Sequence, residues 1–126
     1  MSKKDPRPPI WVGHVVLETS RLAESAGFMR AIGTRTVYEG EDVAIFELRG
    51  GTHVIVLPKR DAVPGDAPFD LMVEDIHATH RRFTELGFAP TPIEQVPRID
   101  HELFRVREPG GKLITFYSNH VSGKPV

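Results

Sequence analysis

The chain has 126 residues, 40% of them hydrophobic and 26% charged, enough for one domain with a core of its own. Lys plus Arg number 16 and Asp plus Glu 17, for a formal charge of -1, so the basic excess that phosphate backbones require is missing and no nucleic-acid partner is expected. The absence of cysteine excludes disulfides, thiolate metal sites and a cysteine nucleophile, and any metal must sit on His, Asp or Glu.

Residues 1–9 carry charge and three prolines but no apolar segment, and read as an extended tail rather than a secretory signal. No run approaches the roughly 20 apolar residues that cross a bilayer, so no membrane association is expected and a cytoplasmic location is the default. Residues 10–18 read as a first strand around Gly13-His14-Val15-Val16-Leu17. Strand alternation puts Val15 and Leu17 on one face and His14 and Val16 on the other. Thr19 or Ser20 can cap a helix over 21–32, whose Leu22, Ala26, Met29 and Ile32 share one face and which Gly33 ends. Strands follow at 34–39, 43–49 and 52–57, with a turn at 40–42 and a hairpin signal at Gly50-Gly51. The sole tryptophan, Trp11, is expected in the core rather than at a subunit interface or over a cleft.

Residues 58–68 hold three prolines, one glycine and four charges and read as a linker. Then the pattern restarts. Residues 69–73 form a strand, Asp75 caps a helix carrying Ile76, Phe83 and Leu86, and Gly87 stops it. Strands are expected at 89–96, 103–107 and 112–118, the last two joined by Pro109-Gly110-Gly111. Leu22 matches Ile76 and Gly33 matches Gly87, both 54 residues apart, and Gly50-Gly51 matches Gly110-Gly111 at 60. About six extra residues therefore lie in the second copy, placed at 96–102. The repeat predicts an α+β protein of two tandem βαβββ modules, residues 10–57 and 69–120, with a further tail at 121–126. Each helix covers one sheet face, and the open faces would join as a half-barrel around a cleft.

This arrangement resembles the vicinal oxygen chelate superfamily: glyoxalase I, bleomycin-resistance and fosfomycin-resistance proteins, and extradiol dioxygenases. The matching pieces are Gly13-His14-Val15-Val16-Leu17, the Val73-Glu74-Asp75-Ile76 junction, Leu86-Gly87 and the stretch from Glu108-Pro109-Gly110-Gly111 to Phe116, within about residues 10–118. The resemblance implies a small-molecule ligand in the cleft and a homodimer. In metal-dependent members it implies a divalent ion (Zn, Ni, Mn or Fe) held from the first and last strand of each module. His14 stands at one such position, while Ile55, Pro68 and Thr115 stand at the others.

Strand parity gathers other polar residues on the open faces: Glu47, His53, Asp70, Arg105 and Thr115, with His101 at the mouth in the extra segment. One reading is a metal-dependent lyase, isomerase or dioxygenase, with His14 joined by two of Glu47, His53, Asp70 and His101. The alternative is a metal-free, resistance-type binder of small molecules or antibiotics. A third is acid–base catalysis by His14 with Asp70 orienting the ring. Arg105 would anchor an anionic group of the ligand, and Thr115 would contact it. Each residue also has an ordinary reading: His14 lining a pocket, Asp70 salt-bridged to Arg105, Glu47 in solvent, and His77, His80 and His120 on the surface.

Overall fold

The computed structural model describes residues 5–123, so the outermost parts of both expected tails lie outside the described residues. The first module runs β1 (His14–Thr19), α1 (Leu22–Ile32), β2 (Arg35–Glu39), β3 (Ala44–Glu47) and β4 (His53–Pro58). Its sheet order is β1-β4-β3-β2, parallel between β1 and β4 and antiparallel elsewhere. The second module holds β5 (Gly65–Asp66), β6 (Leu71–Met72), α2 (Ile76–Glu85), β7 (Glu94–Val96), β8 (His101–Arg107) and β9 (Lys112–Tyr117). There β6, β9, β8 and β7 repeat the first sheet's order, with β5 also paired to β9. The architecture is α+β, two βαβββ modules in tandem.

The repeat is residue-for-residue in places. Leu17 pairs with Val56 in the first sheet, and Leu71 with Phe116 in the second. Phe46 opposes Val54, and Val106 opposes Ile114. These are the 54- and 60-residue offsets read from the sequence. The first module turns tightly at 40–43, where Gly40 N–H donates to Val43 O. The second instead extends its hairpin through β7 and a 3-10 turn at Pro97–Ile99 to a left-handed Asp100.

The inward faces supply one core. Leu17, Ala44, Phe46, Val54 and Val56 come from the first sheet, Ala26, Phe28 and Met29 from α1, Ile76 and Phe83 from α2, and Phe104, Val106, Ile114 and Phe116 from the second sheet. Phe83 meets Phe104 and Phe116 edge-on. Burying a side chain of this size is worth roughly 1.5–3 kcal/mol. Arg82 of α2 ties the helices together by donating to Ala31 O and Ile32 O at the end of α1.

Several boundaries differ from the sequence reading. Residues 10–13 precede β1, and Ile10, Trp11 and Val12 are 80%, 71% and 60% exposed, so Trp11 is outside the core. The strand begins only where parallel pairing to β4 becomes available, at His14 opposite His53. The segment 58–68 contains the short strand β5, recruited because β9 has a free edge beyond β6. Strand structure in 89–96 is confined to 94–96, since prolines at 90 and 92 supply no N–H. Thr91 between them still bonds Arg105. No helix among the described residues is long and apolar enough to cross a membrane.

Candidate functional site

Alternation along β1 points Leu17 and Thr19 inward and leaves His14, Val16 and Glu18 exposed on the open face. Register then builds a polar row across the first sheet: His14 beside His53, His53 beside Glu47, Glu47 beside Arg35. The two imidazole rings lie 5.5 Å apart, tilted by 39°. Glu47 is not free for other work, because it is ion-paired with Arg35, Nε lying 3.0 Å from its carboxylate. The next row on this face is apolar: Val16, Ile55 and Ile45.

The second sheet places Arg105 beside Thr115. Together with Asp66, Asp70, Leu113 and Tyr117 they line a pocket of ≈ 440 Å³. Arg105 pairs with Glu94 at 3.3 Å, not with Asp70 as the sequence reading allowed. Glu94 stands opposite Leu103, two residues from Arg105 along β8, so the two side chains share one face of the hairpin. No hydrogen bond or ion pair joins Asp70 to His14, so the expected orienting dyad is not formed.

His101 opens β8, away from the other candidates. Its Nδ1 donates to Ser118 O at 2.6 Å, and its ring lies 4.9 Å from that of His120 and 5.6 Å from that of Tyr117. Of the three histidines expected at the surface, His77 is exposed near Glu102. His80 and His120 are half-buried, and His80 bonds Thr91 O through Nε2.

The fit to a divalent ion can be tested on the donors present. Ion binding with three protein ligands is the usual minimum for a catalytic zinc. The four positions that the resemblance marks hold His14, Ile55, Pro68 and Thr115, and only the first is a strong donor. His53 stands next to His14, but Glu47 is held by Arg35. Among the described residues no group of three His, Cys, Asp or Glu is placed to hold a metal ion. The donor set of one chain does not fit a resident ion.

Sequence reasoning passed over Glu108. It is 1% exposed and fully hydrogen-bonded: Ser25 Oγ donates to Oε1 at 2.6 Å, Gly110 N–H to Oε1 at 2.9 Å and Lys112 N–H to Oε2 at 2.7 Å. With the one Ser25 hydrogen given to Glu108, buried Thr19 donates its hydroxyl to Ser25 Oγ at 2.8 Å and accepts from Arg21 N–H, so the β8–β9 turn of one module is locked to the β1–α1 junction of the other. The available signal was a carboxylate directly before Pro109-Gly110-Gly111, a turn tight enough to present two amides to it. Glu94, Asp66 and Tyr117 were also missed.

No protein-family model and no curated protein sequence matches the chain. Solved structures do. A lactoylglutathione lyase from Agrobacterium tumefaciens matches with a TM-score of 0.72 at 15% identity, over 94% of this chain and 100% of that one. A genomically encoded fosfomycin resistance protein from Listeria monocytogenes gives 0.70 at 13%, over 90% and 96%. The bleomycin-binding protein from Streptomyces verticillus, solved with copper(II)-bleomycin, gives 0.65 at 18%, over 90% and 99%. The paired modules, the sheet order and these matches together show that the chain has the fold of the glyoxalase, bleomycin-resistance and fosfomycin-resistance proteins, the vicinal oxygen chelate fold.

Proposed function

We propose that this protein binds a small organic molecule on the open sheet faces, as a homodimer, without an ion held by its own side chains. The observation that carries this is the pocket on the second sheet. Arg105 and Asp70 offer opposite charges, Thr115 and Tyr117 offer hydroxyls, and Leu113 offers an apolar wall. Such a mixed lining suits an organic ligand with a few polar groups. The first sheet adds an apolar strip beside its polar row. Binding partners named for the matched structures, such as bleomycin, are reasonable first ligands to try.

The adjacent His14 and His53 rings support a second reading, a metal-dependent lyase, isomerase or dioxygenase acting on a substrate with vicinal oxygens. There the imidazoles would need a third donor from outside the chain's own set.

Elemental mass spectrometry on the purified protein, after incubation with Zn, Ni, Mn or Fe(II), separates the two. The expected result is no stoichiometric ion, together with a thermal shift on adding a ligand such as bleomycin that is reduced in Arg105→Ala. One ion per chain that disappears in His14→Ala would overturn the metal-free reading in favour of the second.

A further inference from the structure

The two seams between the modules should be alike, because the repeat relates them. At one seam Glu108, Ser25 and Thr19 form the buried network described above, and a Cβ on Gly110 would lie 2.2 Å from Thr19 Oγ1. The equivalent positions at the other seam are Leu48, Thr79 and Val73. The equivalence shows in the backbone. Leu48 N–H bonds Thr52 O as Glu108 N–H bonds Lys112 O, and Thr79 N–H bonds Asp75 O as Ser25 N–H bonds Arg21 O. The side chains, however, do not close this seam. Leu48 has no carboxylate to extend, Val73 accepts nothing, and the Thr79 hydroxyl turns back to Asp75 O at 2.7 Å.

What remains is a cavity of ≈ 950 Å³ between the modules. Its walls are largely apolar: Val12, Val15, Leu48, Phe69, Leu71 and Val73. The open-face residues Val16, Ile45 and Ile55 do not line it, although Pro68, Phe69 and Asp70 line both this cavity and the open-face pocket, and His53 of the open face borders it too. Its charges are unbalanced. Arg49, the one guanidinium in the lining, is paired with Glu74 at 2.8 Å across the seam. Asp70 and Asp75 also line the cavity and have no cationic side chain in ion-pair range among the described residues. Asp75 is engaged only as the cap of α2.

We infer that this open seam is a second binding site, one for a hydrophobic organic cation. The apolar walls take the body of the molecule, and the uncompensated carboxylates face its charge. The volume lies in the range of small-molecule sites, roughly 300–1,000 Å³. Glu108 closes one seam, and Leu48 at the matching position leaves the other open.

Thioflavin T, a planar cationic dye, is a suitable probe, with the anionic dye 8-anilinonaphthalene sulfonate as its counterpart. Saturable thioflavin T binding is expected, weakened by about tenfold in Leu48→Trp and Thr52→Trp, which fill the cavity. Asp70→Asn should weaken the cation and not the anion. Arg105→Ala, which alters only the open-face pocket, should leave thioflavin T binding unchanged. In the unsubstituted protein, methyl resonances of Leu48, Val12 and Val73 should shift on titration. No saturable binding, unshifted methyls at these three positions, or equal affinity for the anionic dye would overturn the inference. Thioflavin T binding lost in Arg105→Ala and kept in the two Trp variants would place the cation on the open face, which overturns the seam site and leaves the proposed open-face function standing.

Discussion

Glu108 shows how much one side chain can carry. A carboxylate that is 1% exposed satisfies three donors, the Ser25 hydroxyl and the amides of Gly110 and Lys112. Glu108→Ala should therefore cost about 3 kcal/mol in urea denaturation, because it strands the amides of Gly110 and Lys112 and leaves Ser25 only Thr19 to bond. Glu108→Gln keeps the shape and one acceptor and should recover part of the loss. Glu24 is an opposite case, exposed at the surface. The Arg21 side chain bonded to it holds its carboxyl below the usual carboxylate range. A folded-state value below the unfolded one means that its contribution is present above the unfolded pKa and is lost as pH falls through the folded one. A carboxyl carbon titration should find Glu24 depressed, and Arg21→Ala or high salt should return it to the ordinary value.

At the level of elements, local chemistry explains where the helices start and stop. Asp75 accepts from Ala78 N–H at 3.0 Å and caps α2 as its position predicts. Asp75→Ala should cost about 1 kcal/mol, read as a lower midpoint of thermal unfolding. Gly33 ends α1 at φ 110, where its amide reaches Arg30 O and Met29 O. The start of α1 is different. Its N-cap, Arg21, makes no side-chain capping bond, and Thr19 rather than Ser20 bonds the entering backbone while also serving the buried network. These starts and stops depend on residues within a turn of one another, so they were legible. The extent of β1, β6 and β7 was not, because a strand ends where its partner ends, and the partner lies elsewhere in the chain.

For the whole molecule, the exposed residues carry the main expectation. Ile10, Trp11 and Val12 form an apolar run, and Val16 adds to it on the open face of the first sheet. Three consecutive exposed apolar residues of this size suit a contact with another molecule. A second copy of the chain is the proposed partner. Light scattering should give about twice the 14.1 kDa of one chain, and Trp11→Ser should shift the population towards single chains. A sample scattering as single chains at working concentrations would overturn the homodimer and leave the open faces to be filled by ligand alone.

The sequence by itself determined the repeat, the helix limits, the inward and outward faces of β1, β3 and β4 and hence the α+β fold. Those features follow from spacing of 2.0 or 3.6 residues and from glycines placed after helices, which act over a few residues. Only the tertiary structure decided which polar residues meet. It gave Arg105 to Glu94 and Glu47 to Arg35, set His14 beside His53, left Trp11 outside the core and buried Glu108 against the other module. The physical reason is that parity tells which face a side chain occupies but not how far along a neighbouring strand its partner stands. That distance is set by register and by the length of the hairpins between strands.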